Sequence, residues 1–323
     1  MAIVDLPDKT KYHYEAFLCA GNALTTVFGI FETRLEASKS GILVEGGDRG
    51  AEYEQACQHL LKNALIFTQQ AYEMYLRGLV CEVSAYLLVP EYQHWAERAS
   101  QKDIRFSELK SVNASDLPKL CNAVRKEKLS HSITKNYWQL RELRNRLVHS
   151  TPEISVNRQI LCKQIADIFG VLGWQNSVVA FSQYQAKSHV AVLYDPYIIE
   201  NRNHSFIAAM RNELGEDYSD KTFLQIERSA DAYCVHCYAD FDLDYSDLDD
   251  FLKTAVLSSF GVNCGLCGGK SESIKLDNLR AAFFAAADVE GAIVTESDGS
   301  LIGYISENDF SLLRNQVLKR EGQ

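Results

Sequence analysis

Helical periodicity in the first half of the chain constrains the fold more than any other sequence feature. Apolar residues recur at helical spacing through 51–89, beginning with Leu60, Ala64 and Phe67. The stretch predicts one long helix that ends at Pro90, because proline cannot continue a helix. A helix with one apolar stripe buries that stripe against other elements. We therefore expect a helical bundle in this half of the chain.

Further helices complete the predicted bundle. The pattern favours a first helix over 12–39 and a short helix over 116–128, capped by Ser115 or Asp116. A later helix over 155–184 is expected to bend at its glycines. Between these lies a helix that Ser130 or Ser132 can cap and that Pro152 stops. Its apolar residues follow a helical period: Ile133, Tyr137, Leu140, Leu143 and Leu147.

The end of that helix carries candidate chemistry. Arg144, Asn145 and His149 fall in its last turns. The helix dipole favours a protonated histidine there, and an imidazole that titrates near neutrality can both take and give a proton. A guanidinium can hold a phosphate through two parallel hydrogen bonds. Asn145 is four residues before His149 and is therefore expected to share its face and orient the imidazole.

These residues resemble the Arg-Asn-x-x-x-His signature of the HEPN superfamily. The resemblance implies a metal-independent endoribonuclease that forms a 2′,3′-cyclic phosphate, with two motifs meeting across a homodimer. It also implies a setting such as phage defence or a toxin system, with a possible antitoxin or other protein partner. HEPN domains often place an acidic residue near the motif, and Glu73 is the candidate here. The alternative for Glu73 is an exposed ion pair with Arg77, one helical turn away.

Charge is distributed unevenly along the chain. The net charge of −10 and the pI near 5.3 do not indicate a general nucleic-acid binder. Residues 117–150 nevertheless contain eight basic and two acidic residues, whereas 216–250 contain eleven acidic and two basic ones. Each run alone is typical of a solvated surface. Because the basic run coincides with the motif, it is also a candidate surface for attracting RNA.

Two other functional classes stay open at this point. One is a non-catalytic HEPN module that binds a nucleotide, RNA or a protein. The other is a zinc-ribbon adaptor in which the helical half serves only to form a dimer. Cleavage of single-stranded RNA in the presence of a chelator separates both from the nuclease.

The second half contains a candidate zinc site. Two C-x-x-C units, Cys234 with Cys237 and Cys264 with Cys267, are separated by 26 residues. Four thiolates with this spacing favour structural Zn²⁺. His236 can compete as a ligand, and redox chemistry at one C-x-x-C is the alternative. The other five cysteines are scattered, as expected of reduced, buried thiols.

The sequence therefore predicts an α+β protein of two domains. Residues 1–185 form the all-α bundle, and 186–323 form a smaller α+β zinc-binding domain. In the latter we expect strands at 190–194, 222–227 and 241–245, and helices at 247–259, 275–287 and 307–319. A hairpin is expected to pair 292–295 with 301–305 around Asp298-Gly299. We find no apolar signal segment near Met1 and no run long enough to span a bilayer, so we expect a cytoplasmic protein.

Overall fold

The computed structural model describes residues 3–42, 48–90, 103–149, 154–174, 176–187 and 196–225, together with six strands between 255 and 306. The chain divides into two compact units, 1–174 and 175–323. This division falls a little before the boundary of 185 that the sequence predicts.

The first unit is built mainly from helices, as predicted. Asp8 caps its first helix by accepting a hydrogen bond of 2.8 Å from the backbone N–H of Lys11. A two-residue parallel strand pair, β1 (Ile3–Val4) with β2 (Ile104–Arg105), departs from a purely helical unit. The helices of this unit are α1 (Lys9–Lys39), α2 (Asp48–Cys81), α3 (Leu117–Val124), α4 (His131–His149) and α5 (Arg158–Val171).

Helices α1 and α2 form a long antiparallel hairpin. Lys9 at the start of α1 bonds Glu82 just beyond α2 at 2.7 Å, and Arg34 near the end of α1 bonds Glu54 near the start of α2 at 3.0 Å. Apolar side chains from both helices fill the space between them. The most fully buried large ones are Leu24, Phe28, Phe31, Leu61, Leu65, Tyr72 and Leu76.

Helix α1 is long and apolar enough, by length and composition alone, to cross a membrane. In the structure, 61% of its most apolar 18-residue window is buried. That burial is typical of the core helix of a globular unit, and the cytoplasmic location stays a prediction.

Helix α2 ends eight residues earlier than the sequence predicts. It stops at Cys81, and a short 3₁₀ helix follows at Ala85–Leu88. Ser84 adopts an extended conformation between the two, and its Oγ accepts a hydrogen bond of 3.3 Å from the backbone N–H of Tyr86. A serine that bonds the backbone locally in this way competes with the continuing helix. The expectation of one helix up to Pro90 is therefore wrong in its last part.

Helix α4, which carries the motif, runs antiparallel to α2. Asn136 near its start donates to the hydroxyl of Tyr72 at 3.1 Å, and the backbone N–H of Val156, beyond its end, donates to Gln58 at 3.0 Å. Ser130 caps α4 as predicted, because its Oγ accepts from the backbone N–H of Ile133.

One long helix over 155–184 was expected, and the structure has two shorter ones. Helix α5 ends at Val171, and Gly173 follows with φ +91°, a conformation that favours glycine. Asn176 then caps helix α6 (Ser177–Ala186) by accepting from the backbone N–H of Val179 at 2.8 Å. The glycines therefore end the first helix rather than bend it.

In the second unit, α6 is followed by helices α7 (Pro196–Leu214) and α8 (Glu216–Ser219) and a π-helical turn, Asp220–Leu224. The predicted strand at 222–227 is wrong over this turn. Asp220 is fully buried and accepts two hydrogen bonds from Arg211, at 2.8 and 3.0 Å. Phe223 and Leu224 are also buried. Burial of these apolar side chains favours the helical form of the segment.

Six strands, each antiparallel to the next, follow in sequence order. They are β3 (Ala255–Ser258), β4 (Gly261–Cys264), β5 (Lys270–Leu276), β6 (Leu279–Ala286), β7 (Val289–Glu296) and β8 (Leu301–Ser306). The predicted hairpin corresponds to the antiparallel pairing of β7 with β8. The helices expected at 247–259 and 275–287 are wrong where β3, β5 and β6 lie. The strands expected at 190–194 and 241–245 and the helix at 307–319 lie outside the described residues.

Candidate functional site

The half of α4 that carries the motif packs loosely against the rest of the unit. Tyr137 and Leu140, both in the first ten residues of α4, are its two buried residues. From residue 141 onward every side chain is at least partly exposed, and Val148 is 52% exposed. Leu143 and Leu147, which the sequence assigns to the apolar stripe, are only half-buried. The described residues therefore cover the motif end of α4 only in part.

Arg144 and Asn145 are brought together by a direct hydrogen bond. Nη1 of Arg144 donates to Oδ1 of Asn145 at 3.2 Å. Across the described part of the chain, no carboxylate lies within salt-bridge distance of this guanidinium, which is half-buried. Since the Asn145 amide is neutral, the positive charge of Arg144 is left available for an anion. Asn145 therefore has Arg144 as its partner, where the sequence predicted His149.

His149 is exposed and ends α4. With the other described residues it makes no hydrogen bond or ion pair. It follows Arg144 by five residues, so the two side chains leave the helix about 140° apart. One α4 helix therefore presents the cation and the imidazole in different directions, as the sequence predicts.

Glu73 does not join the motif. Its Oε1 accepts from Arg77 at 2.9 and 3.3 Å, and its Oε2 accepts from Gln69 at 3.3 Å. The side chains of Glu73 and Arg77 are only 20% and 11% exposed. The ion pair that the sequence offered as an alternative is thus present, but it is largely buried rather than on the exposed face.

Glu73 faces the first half of α4, where Tyr137 lies. Burial is the main cause that raises the pKa of Tyr137 to about 12, and the nearby Glu73 carboxylate adds to it. The tyrosine hydroxyl donates to the carbonyl of Ala114 and interacts with the side chain of Arg141. Arg144 is seven residues beyond Tyr137, about 10 Å along the helix. Glu73 therefore lies near Tyr137 rather than near the motif residues.

A second tyrosine lies near the same ion pair. Burial raises the pKa of the Tyr12 hydroxyl on α1, and the nearby Arg77 guanidinium partly counters the rise. The sequence did not reveal this arrangement, because its residues come from three helices whose register depends on packing.

Part of the basic run serves local structure. Arg125 lies 3.6 Å from Glu82, and the ammonium of Lys128 donates to the carbonyl of Asn122. Lys119, Lys126, Lys135 and Arg146 are exposed. The positive surface that remains for a ligand therefore centres on α4, Lys119 of α3 and Lys126, which follows α3.

Trp138 was not singled out from the sequence. Its indole is 39% exposed and makes an edge contact with Tyr137, with ring centroids 5.6 Å apart. It precedes Asn145 by seven residues, two helical turns, and so lies on the same side of α4. The sequence signal that could have identified Trp138 is a large apolar residue seven positions before Asn145, on a helix face that is otherwise polar.

The proposed zinc ligands lie almost wholly outside the described residues. Cys234, Cys237 and Cys267 fall there, as does His236. The backbone of Cys264 ends strand β4, opposite Ala255. Among the described residues, no group of three or more His, Cys, Asp or Glu side chains could hold a metal ion. Structural zinc therefore stays a prediction from the spacing of the cysteines.

The first unit also holds five thiols, all free. Burial raises the pKa of Cys19, Cys81 and Cys121 to about 11 in each case. Such thiols are protonated near neutrality and are poor nucleophiles.

No protein-family model, curated protein or solved structure matches this chain.

Proposed function

We propose that the chain is a metal-independent endoribonuclease of the HEPN type whose active site forms between two copies. The observation that carries this proposal is the state of Arg144: a half-buried guanidinium bonded to a neutral amide, five residues before an exposed histidine. A structural arginine in such a place would ordinarily have a carboxylate partner, as Arg77 does. A guanidinium that has no carboxylate partner among the described residues is suited to binding a phosphate.

The reaction needs only groups that this chain can supply. One His149 removes the proton from the ribose 2′-OH as its oxygen attacks the adjacent phosphorus. The bond from phosphorus to the 5′-oxygen then breaks, and a second His149 protonates that leaving oxygen. Arg144 stabilises the charge that develops on the phosphoryl oxygens. The products are a 2′,3′-cyclic phosphate and a 5′-hydroxyl.

The geometry of α4 favours a homodimer for this chemistry. Arg144 and His149 diverge on one helix, whereas a two-fold axis beside the helix end supplies both residues from each copy. Val148 at the helix end and Trp138 nearer its start are exposed and apolar, and they are suited to pack against α4 of the second copy. Their contact would offset the repulsion between two basic faces.

The test is cleavage of single-stranded RNA by the full chain in a chelator. Arg144→Ala is expected to lower the rate by about 10²–10³ fold, the usual cost of removing one transition-state donor. His149→Ala is expected to lower it by about 10²–10⁴ fold. Product analysis should find the cyclic phosphate.

Gln139→Ala is the matched control, because Gln139 is exposed on the same helix and has no part in the proposed chemistry. Circular dichroism should show that all three variants keep the helical content of the wild type. Wild-type rates from both motif variants would rule out the catalytic assignment. Absence of cleavage with retained RNA binding would instead favour the non-catalytic module.

A further inference from the structure

A cleft of about 420 Å³ lies beside the N-terminal turns of α1, away from the motif residues. Its volume is within the range of small-molecule sites. The N-terminal segment, α1, α2 and the chain after β2 each contribute to its walls. The residues used below are Asp5, Lys11, Tyr12, Glu15, Arg77 and Phe106.

The charges that line this cleft balance. Lys11 and Arg77 are the cations, and Asp5 and Glu15 are the acids. Lys11 and Glu15 are exposed and lie one helical turn apart on α1, yet with the described residues neither forms an ion pair. The rim of the cleft therefore presents one free ammonium and one free carboxylate side by side.

The floor of the cleft is polar and largely buried. Arg77 is 11% exposed and is held by Glu73, while Tyr12 contacts its guanidinium. A guanidinium has five N–H donors, and the contacts to Glu73 and to the carbonyl of Val112 use only part of them. A ligand oxygen that reaches the floor can be bonded without displacing Glu73.

One wall is apolar and one rim is conformationally constrained. Phe106 and Leu109 line the apolar wall with Met74. At the rim, Asp5 has φ +58°, a left-handed conformation that is uncommon outside glycine but that aspartate adopts more often than most residues. The pairing of β1 with β2 immediately before it holds this conformation in place. Backbone held in such a conformation is frequent at ligand sites.

We propose that this cleft binds a small zwitterion, an amino acid with an apolar side chain. Its carboxylate lies towards Lys11 and Arg77, its ammonium lies towards Asp5 and Glu15, and its side chain packs on Phe106. Two acids in the lining repel a polyanion such as a nucleotide, and two cations repel a simple amine. Arg77 is already paired with Glu73, and Asp5 lies 3.9 Å from Arg105. The charges left for a ligand are therefore Lys11 and Glu15, which a ligand with one charge of each sign matches.

Isothermal titration calorimetry of the full chain tests this proposal, with L-leucine, L-methionine and L-phenylalanine as probes. At least one should bind with a Kd below about 1 mM, a modest affinity for a small ligand. Two analogues of leucine each lack one charge: 4-methylpentanoate has no ammonium, and 3-methylbutylamine has no carboxylate. Each should bind at least about tenfold more weakly than leucine, because it leaves a charged group of the cleft unpaired.

Substitutions of residues that line the cleft test whether the ligand binds there. Lys11→Gln and Glu15→Gln should each weaken it about tenfold, and Ser107→Trp should block it by filling the cleft. These positions are exposed, so the fold should survive. Lys119→Gln, an exposed lysine on α3, is the matched control and should bind like the wild type.

Three results would overturn the proposal. The first is that none of the three amino acids gives a heat of binding at a ligand concentration 10-fold above the expected Kd. The second is that the rim variants bind as tightly as the wild type. The third is that AMP binds more tightly than any amino acid. None of these outcomes depends on RNA cleavage, so this proposal and the proposed function are tested independently.

Discussion

At the scale of single residues, the structure shows two arginines in different environments. Arg77 and Arg144 each lie in a long helix beside acidic or amide residues. Arg77 is fixed by a buried carboxylate, and Arg144 is bonded only to the Asn145 amide among the described residues. The first is therefore suited to hold helices together, and the second to hold an anion.

This difference gives a prediction for Glu73. Glu73→Gln should lower the free energy of unfolding by about 1–3 kcal/mol, because it removes a charged partner from the nearly buried Arg77. Urea denaturation measures the change. Cleavage by the folded protein should persist, since Glu73 faces Tyr137 rather than the motif.

Glu54→Gln is the control for that experiment. Glu54 is 47% exposed and pairs with Arg34 and Arg158 on the surface. Its loss should cost less than about 1 kcal/mol, as for other exposed ion pairs. A Glu73→Gln protein with wild-type stability but no cleavage would show that Glu73 is catalytic after all.

At the scale of helices and strands, the close approach of α1 to α2 rests on one glycine. A Cβ atom on Gly78 would lie 2.4 Å from Cδ2 of His13 and 3.3 Å from the carbonyl oxygen of Lys9. His13 stacks on Tyr75 with ring centroids 5.2 Å apart, so it has little room to move. The two helices can pack here only because residue 78 has no side chain.

Gly78→Ala should therefore destabilise the first unit by about 1–3 kcal/mol, the usual cost of overpacking. The effect opposes helix propensity, which favours alanine by about 1 kcal/mol. Gly29→Ala on α1 is the control, because nothing lies within 4 Å of its added Cβ. Thermal denaturation should show a lower Tm for the first variant and an unchanged or higher Tm for the second. Equal Tm values would contradict the packing argument.

The helices and strands also show which parts of the fold the sequence predicts correctly. Helical periodicity predicts α1, α2 and α4 well, since each has an apolar stripe long enough to dominate local preferences. It fails at Ser84 and Gly173, where local bonds or a left-handed residue end a helix early. It also fails at β5 and β6, where the alanine-rich sequence favours a helix but Leu276 pairs with Leu279 in a tight hairpin.

For the candidate site, the sequence predicts the residues and their order along α4 but not their partners. Spacing alone places Asn145 near His149, whereas packing and rotamers pair it with Arg144. The Glu73–Arg77 pair is predicted by its i,i+4 spacing, but its burial depends on α1 and α4 covering it. Tyr12 joins this pair through tertiary structure that no local pattern encodes.

At the scale of the whole molecule, a dimeric active site predicts that the two copies do not act independently. Arg144→Ala and wild-type chains, unfolded and refolded together, should form heterodimers that keep both His149 side chains but only one Arg144. Because both copies contribute to one site, the rate of this mixture should differ from the simple average of two independent sites. A rate equal to that average, or full cleavage by a protein shown to be monomeric, would contradict the dimeric site.

A further prediction concerns the second unit. If its four paired cysteines bind structural Zn²⁺, elemental analysis should find about one zinc ion per chain, and Cys264→Ser should lose it. Chelation should then lower the Tm of this unit while leaving that of the first unit unchanged. A metal-free protein with a disulfide between Cys234 and Cys237 would exclude the zinc site.

The antiparallel hairpin of α1 and α2 has a consequence for how the protein folds. Its contacts join neighbouring helices of one continuous stretch, from the Lys9–Glu82 pair to the Arg34–Glu54 pair. The separation of the contacting residues along the chain falls from 73 at Lys9–Glu82 to 20 at Arg34–Glu54. The contacts of shorter separation close first, and we expect the hairpin to form from that end as the folding nucleus. During synthesis it leaves the ribosome before α4 has been translated. The helix that carries Arg144 and His149 therefore docks after the hairpin, onto a scaffold that is already formed.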